Sequence, residues 1–173
     1  AFGKHVYPNQ VETEGITNIS LEDVSYIENA GGVIKLLGQI KYINDNEIAA
    51  FVSPAVVYNG SQLASVKDVF NAILVRGDAV GDVCFYGPGA GKLPTASAVV
   101  ADIIDCAKHS ERKKIFGWGA GNEDYVVDYK ERIEMPFYVR AKATPAEITA
   151  KFSDAKFLSR KGPPSDEVPF IPA

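Results

Sequence analysis

The stretch Tyr86-Gly87-Pro88-Gly89-Ala90-Gly91-Lys92-Leu93-Pro94 is the most informative part of the 173-residue sequence. It follows an apolar, β-rich run and precedes a run with helical spacing, so it predicts a glycine-rich turn between a strand and a helix. Such a turn lets backbone approach a ligand closely, and the first N–H groups of the helix point toward negative charge. From the residues alone, two interpretations stay open. Gly87, Gly89 and Gly91 contact an anion or cofactor, or they only supply unusual dihedral angles.

Two well-known phosphate-binding motifs do not fit this turn. A P-loop needs glycine where Tyr86 stands and serine or threonine where Leu93 stands. A dinucleotide fingerprint needs a third glycine three residues after the second, and that position holds Lys92 or Pro94, depending on the starting glycine. The sequence therefore excludes a P-loop NTPase and a Rossmann-type nucleotide motif at this place.

The flanking sequence predicts an α+β fold with a largely antiparallel sheet covered by helices. Alternating or apolar runs predict four strands, at residues 33–43, 47–57, 70–76 and 80–86. Ser20 is a favourable helix N-cap, with Asp23 at the third helical position and Gly31-Gly32 as the stop. Apolar residues at helical spacing predict a second helix from about Pro94 to Lys108.

The pattern weakens after this helix. Residues 110–134 contain Gly117-Trp118-Gly119-Ala120-Gly121-Asn122 and have no clear period, which predicts a linker. Residues 135–143 read as a strand, and Thr144-Pro145-Ala146-Glu147 is a capping box that opens a helix to about residue 157. One strand and one short helix cannot bury a core, so residues 135–173 predict an incomplete second domain.

Composition narrows the classes of function. The chain is 46% hydrophobic and 23% charged with a net charge of −4, so nothing indicates a nucleic-acid partner or a membrane. Cys84 and Cys106 lie in apolar runs and predict two buried free thiols, typical of a reducing, cytoplasmic compartment. With only His5 and His109 besides, no Cys/His metal site is expected. The start at Ala1, in mid-pattern, suggests a fragment.

The glycine turn resembles the closing segment of homoserine dehydrogenases, whose pattern runs Tyr-Gly-Pro-Gly-Ala-Gly, then Pro-Thr-Ala and an apolar helix. The similarity continues in register through residues 14–19, 34–38, 70–72 and 77–81, and covers about residues 1–108. One departure is visible. The family usually has His-Pro before the Leu-Ala ahead of the third strand, where this chain has Ser61-Gln62.

The resemblance implies an enzyme that uses NAD or NADP to interconvert homoserine and aspartate semialdehyde, in threonine and methionine biosynthesis. It implies a homodimer, a substrate-binding and dimerisation domain, and a glycine turn beside the cofactor. Gly91 is the first glycine carried over, with Gly87 and Gly89 as its supports. The family's catalytic lysine, substrate carboxylates and monovalent-cation site precede Ala1. No catalytic or metal-binding residue is therefore assigned, and the isolated chain is expected to be inactive.

The part after residue 134 resembles the start of an ACT domain, a βαββαβ amino-acid-binding module. The glycine that usually follows the helix-opening proline is absent, because Pro145 is followed by Ala146. The predicted organisation is thus a substrate-binding and dimerisation domain at 1–109, a linker at 110–134 and a partial ACT-like domain at 135–173. The alternative is a non-catalytic module for amino-acid sensing or oligomerisation.

Overall fold

The computed structural model describes residues 2–112 and 117–172, and its contacts divide the chain into two compact units. The first unit joins residues 1–58 to residues 118–173, and the second comprises residues 59–117. This division differs from the predicted domain bounds, because both the beginning and the end of the chain contribute to one unit. Part of the predicted linker, residues 113–116, lies outside the described residues.

The secondary structure confirms the α+β class, with small antiparallel sheets and few helices. The first unit contains β1 (Glu12–Thr13), α1 (Leu21–Asn29), β2 (Gly32–Asn44), β3 (Glu47–Tyr58), α3 (Tyr129–Arg132), β6 (Val139–Ala141), α4 (Pro145–Lys151), β7 (Lys156–Phe157) and β8 (Val168–Ile171). The second unit contains β4 (Phe70–Gly77), β5 (Gly81–Pro88) and α2 (Lys92–Lys108). The strands form sheets β1-β3-β2, β4-β5 and β6-β8-β7.

Helix α1 begins as the sequence predicts. The Asp23 amide donates to Ser20 Oγ at 3.3 Å, and the Ser20 amide donates to Asp23 Oδ2 at 2.7 Å. Asp23 thus completes a capping box in place of the more usual Glu. At the other end, Gly31 takes a φ of +79°, which favours glycine and reverses the chain into β2. The fully buried Ile27 then packs at the helix–sheet junction, where a Cβ on Gly32 would lie 3.2 Å from its side chain.

The long hairpin β2–β3 is the largest sheet element, and a distant segment covers one of its faces. Phe51 is 1% exposed, and its ring stacks on that of Tyr129 with centroids 4.0 Å apart. Ala49 is the third buried member of this cluster, and the half-buried residues packed around it are Ile43, Val127, Ile133 and Met135. The hairpin therefore gains its core from residues far along the chain.

The sequence predicts a linker over residues 110–134, but residues 117–134 of it pack on the first sheet. The Ile48 amide donates to the Tyr125 carbonyl, and the Val127 amide donates to the Ile48 carbonyl, both at 2.9 Å. Gln10 Nε2 donates to the Asn122 carbonyl at 2.7 Å. Tyr125 and Tyr129 are 3% and 5% exposed, which a solvated linker would not require. The described part of this segment is a structural cover for the first sheet.

The carboxy-terminal segment also forms more structure than predicted. Strand β8 lies between β6 and β7 and is antiparallel to both. Helix α4 begins at the predicted capping box of Thr144 and Glu147, but it ends at Lys151, and β6 is shorter than the predicted strand. Ile148 and Phe170 are buried, at 4% and 3% exposed. The last residues thus supply a third strand that the proline-rich sequence did not predict clearly.

In the second unit, β4 and β5 form a regular hairpin from Phe70↔Pro88 to Gly77↔Gly81. Arg76 and Asp82 face each other near the turn, with Arg76 Nε donating to Asp82 Oδ1 at 2.6 Å. Helix α2 contains no buried residue, so the predicted helical cover of the sheet is not formed by this helix within the unit. Cys84 is half-buried and Cys106 is exposed; both are free, but the predicted burial of Cys106 is wrong.

No helix in the described ranges is long and apolar enough to cross a membrane.

We expect Phe51→Ala to lower the free energy of unfolding by about 3–5 kcal/mol, because it removes a buried ring and leaves a cavity beside Tyr129. Urea unfolding followed by the fluorescence of Trp118 measures the change. Leu21→Ala is the matched control: Leu21 is 87% exposed in the same unit, so its loss should cost less than about 0.5 kcal/mol. Equal effects from the two substitutions would contradict the assignment of Phe51 to the core.

Candidate functional site

The glycine turn lies between β5 and α2, as the sequence predicts. Gly87 is on the last part of β5, opposite Asn71 on β4, and Gly91 is the N-cap of α2. Pro94 stands in the first helical turn, where its missing N–H costs little. The three predicted glycines thus lie together at one end of the β4–β5 hairpin.

One carbonyl group fixes the conformation of the turn. The Val69 carbonyl accepts hydrogen bonds from the Gly89 amide at 3.1 Å and from the Ala90 amide at 3.3 Å. The Asn71 side chain donates to the same carbonyl at 3.4 Å. Three donors on one acceptor hold the turn against the start of β4, so its backbone is set before any ligand arrives.

Gly91 is required by the backbone conformation, and Gly89 is favoured by the position of the Asn71 side chain. A Cβ on Gly89 would lie 2.1 Å from Asn71 Nδ2, a distance that no side chain can accept without a shift. Gly91 has a φ of +113°, which residues with a side chain rarely adopt. A purely structural role for the turn therefore explains two of its three glycines, Gly89 and Gly91.

Gly87 has neither constraint. Its φ is not in the positive range, and a Cβ built on it would meet nothing within 4 Å among the described residues. The absence of a side chain there keeps space open beside the turn. This open space is what a ligand that approaches the backbone closely would use.

The start of α2 adds a favourable electrostatic environment. Gly91 has no side chain to cap the helix, so the N–H groups of Lys92 and Leu93, in the first turn, have no intrahelical partner. The helix is 17 residues long, and the positive end of its dipole lies at this turn. The turn can therefore receive a carbonyl oxygen or an anionic group of a ligand.

Sequence reasoning missed Asn71 and Val69, which are 18 and 20 residues before Gly89. The tripeptide Phe70-Asn71-Ala72 belongs to the resemblance described above, but its role follows only from the pairing of β4 with β5. A prediction of the strand register that pairs Asn71 with Gly87 would have shown that Asn71 lies beside the turn.

A second group of polar residues lies in the first unit, at β1 and α3. Lys130 Nζ contacts the carboxylates of Glu12 and, at 3.0 Å, Glu14, while the Tyr129 hydroxyl donates to Glu14 Oε1 at 2.9 Å. The hydrogen bonds from Lys130 and Tyr129 lower the pKa of Glu14, although partial burial opposes them. Hydrogen bonds to Glu12 and Glu14 raise the pKa of Lys130. With these shifts Glu14 and Lys130 are charged near neutral pH, so Lys130 is unsuited to act as a general base there.

Two clefts border this group. The larger, of about 420 Å³, lies between the β2–β3 hairpin and the segment Met135-Pro136-Phe137-Tyr138, with a mostly apolar lining. The smaller is lined in part by Gln10, Glu12 and Tyr129. Neither cleft contains a group of three or more His, Cys, Asp or Glu residues that could hold a metal ion, and no such group occurs elsewhere in the described ranges.

Comparison with known proteins identifies the family of the chain. The homoserine dehydrogenase family model matches residues 1–104. The homoserine dehydrogenase of Lactococcus lactis is 40% identical over 111 residues, which cover 64% of this chain and 26% of that protein. The Corynebacterium glutamicum homoserine dehydrogenase is 41% identical over 127 residues, or 71% of this chain and 28% of that protein.

Solved structures agree with these sequence matches. An S. aureus homoserine dehydrogenase is similar over 98% of this chain and 43% of its own, with a TM-score of 0.73 and 29% identity. A homoserine dehydrogenase from Thiobacillus denitrificans is similar over 98% of this chain and 41% of its own, with a TM-score of 0.71 and 32% identity. The chain spans about a quarter of the length of the curated relatives it matches. On the match over residues 1–104 and these relatives, the chain belongs to the homoserine dehydrogenase family.

Proposed function

We propose that this chain is the carboxy-terminal part of an enzyme that interconverts L-homoserine and L-aspartate 4-semialdehyde with NAD or NADP. Membership of the homoserine dehydrogenase family supports this assignment of the reaction. The reaction belongs to the biosynthesis of threonine and methionine. The structural observation that carries the proposal is Gly87, whose open surroundings the fold itself does not require. Two free cysteines are in keeping with a cytoplasmic enzyme.

The residues of the turn fit a nicotinamide cofactor. Gly87, Gly89 and Gly91 would let it approach the backbone, and the first N–H groups of α2 would meet an oxygen of the cofactor. The cofactor supplies the hydride acceptor or donor when bound. The part of this chain is to position the cofactor: the Val69 carbonyl holds the turn, and the Asn71 side chain packs against Gly89. Such pre-organisation lowers the entropy that binding must overcome.

Proton transfer belongs to another part of the enzyme in this proposal. By resemblance, the catalytic lysine and the substrate carboxylates precede Ala1. The lysine would exchange the proton of the substrate hydroxyl as hydride moves between substrate and nicotinamide. The 173-residue chain alone is therefore expected to give no turnover.

Homodimer formation is proposed through the β2–β3 hairpin. Side chains alternate between the faces of a strand, and on β2 the residues Leu36, Ile40 and Tyr42 share the face opposite the one that carries Ile43. These three are 47%, 54% and 59% exposed. Exposed apolar side chains that share one face of a strand are typical of a protein–protein contact.

The carboxy-terminal segment is proposed to be the beginning of an ACT-like domain. Its chain order is strand, helix, strand, strand, and its third strand, β8, lies between β6 and β7. That arrangement supports the proposal because a βαββαβ module begins in this way. The same segment favours the second candidate function, a non-catalytic module that senses an amino acid. Dehydrogenase assays on the complete polypeptide separate the two, since only the enzyme interconverts homoserine and its semialdehyde.

We expect Gly87→Ala in the complete enzyme to raise the cofactor KM at least about tenfold while the thermal midpoint stays unchanged, because the new methyl group meets only the ligand. Gly60→Ala is the matched control, since Gly60 lies in the same unit and also has open surroundings. Steady-state kinetics with varied cofactor, together with thermal unfolding, measure both properties. An unchanged cofactor KM in a folded Gly87→Ala variant would show that the turn has a structural role only and does not contact the cofactor.

Gly91→Val should behave differently, because a β-branched residue is strained at a φ of +113°. We expect a loss of kcat or a raised cofactor KM together with a lower thermal midpoint, measured by the same two assays. Wild-type kinetics in Gly91→Val would show that the backbone conformation of the turn does not matter to the cofactor.

Ile40→Asp is expected to weaken the homodimer at least about tenfold, because it places a charge in an apolar contact. Sedimentation of the complete protein over a concentration series measures the dissociation constant. Leu21→Asp introduces the same charge at an exposed position of α1 and should leave the dimer intact. A dimer equally stable in both variants would place the contact elsewhere.

A further inference from the structure

Two arginines of the carboxy-terminal segment meet two carboxylates in the first turn of α1. Arg140, on β6, contacts Glu22 Oε2 through Nη1 at 2.6 Å and Asp23 Oδ1 through Nε at 3.1 Å. Arg160, in the loop between β7 and β8, contacts the other oxygen of Glu22 through Nη2. Glu22 therefore bridges two guanidinium groups that are 20 residues apart in the sequence.

The guanidinium of Arg160 is enclosed rather than solvated. Its side chain is 9% exposed, it lies 5.2 Å from the centroid of the Tyr26 ring, and Nη2 also donates to the Pro163 carbonyl at 3.1 Å. A Cβ on Gly162 would lie 2.6 Å from Nη1, so the loop follows the guanidinium closely. Nε is buried without a hydrogen-bond partner among the described residues. Among the described residues Glu22 is the carboxylate that pairs with this buried cation, so Arg160 depends on it.

Asp23 is the second fixed charge of the contact. Its side chain is buried, and burial raises its pKa, but hydrogen bonds from Ser20 and Tyr138 and the charge of Arg140 outweigh that effect, so the pKa of Asp23 is lowered. The Tyr138 hydroxyl donates to Asp23 Oδ1 at 2.9 Å. Burial and the Asp23 charge raise the pKa of Tyr138, so this hydroxyl keeps its proton. The capping group of α1 thus also binds the carboxy-terminal segment.

The remaining charged groups around this contact are few. Glu167 lies 3.3 Å from Arg140 Nε, so three carboxylates face two guanidinium groups. The pair Lys142–Asp166 belongs to the same segment, but its side chains are 70% and 76% exposed. Solvent screens that pair, and an exposed pair of this kind contributes little to stability.

We propose that Glu22, Asp23, Arg140 and Arg160 form a clamp, here called the α1 clamp, that couples the position of strands β6–β8 to helix α1. The clamp carries this coupling through charge, so removal of the Glu22 charge loosens the connection between the segment and α1, while the Asp23 contacts with Arg140 and Tyr138 remain. The proposal rests on these contacts and not on the assignment of a reaction or of an ACT-like domain. It gives the carboxy-terminal segment a physical connection to the element that leads into β2.

The acid response follows from Asp23. Because the pKa of Asp23 is lowered in the folded protein, its contribution to stability is complete above its ordinary pKa and is lost as the pH falls through the folded value. The contribution of Asp23 to the clamp is therefore present near neutral pH and is lost in acid. Tyr138 and Arg140, whose pKa values are raised, keep their protons throughout that range.

Hydrogen exchange on the complete polypeptide tests the clamp. We expect Glu22→Gln to speed the exchange of the amides in β6 and β8 at least about tenfold, because Gln keeps the shape but leaves Arg160 without a countercharge. Asp166→Asn is the matched control, since it neutralises an exposed carboxylate of the same segment, and it should change these rates less than about twofold. Equal rates in wild type and Glu22→Gln would overturn the proposal.

A double-mutant cycle distinguishes a specific loss of the Glu22–Arg160 contact from a general loosening of the unit by Glu22→Gln. If the clamp is correct, Glu22→Gln has a much smaller effect on β6 and β8 exchange when Arg160 is already replaced by Gln. Additive effects of the two substitutions would show that the side chains act independently, which would also overturn the proposal. The amides of β2 and β3 report whether the rest of the unit remains folded in each variant.

Discussion

The stacking of Tyr129 on Phe51 is the interaction on which the first unit depends. A two-stranded hairpin is at best marginally stable in water, because one of its faces must be covered. In this chain the cover comes from the segment around α3, which is joined to the hairpin by backbone hydrogen bonds at Ile48. The same segment brings Lys130 to the carboxylates of Glu12, on β1, and of Glu14, just after it, so the edge strand is bound to the cover by charge as well.

The sequence predicts those features that local chemistry decides. The N-cap at Ser20, the capping box at Thr144 and the glycine turn before α2 are each set by a few adjacent residues, and the structure has all of them. The cover around α3 was missed because its buried residues, Tyr125 and Tyr129, are isolated aromatics in a stretch without a period. Their burial comes from partners more than 70 residues away, which no local pattern records.

The glycine turn likewise depends on a contact that the local sequence does not predict. Its position and its three glycines follow from the sequence, but the reason for each glycine does not. Gly89 is explained by Asn71, on the neighbouring strand, and Gly91 by a backbone angle. Only after these two are accounted for does Gly87 stand out as the position that the described fold leaves unexplained. The structure thus identifies Gly87 as the one residue of the motif whose role in cofactor binding can be tested separately from the fold.

The distance along the chain between the hairpin and its cover also has a consequence for synthesis. Phe51 leaves the ribosome 78 residues before Tyr129 does. At about 5–20 residues per second, the apolar face of β2–β3 waits roughly 4–16 s for its cover. During that interval the apolar residues of β2 and β3 are exposed to solvent and to neighbouring nascent chains, a condition that favours strand pairing between chains.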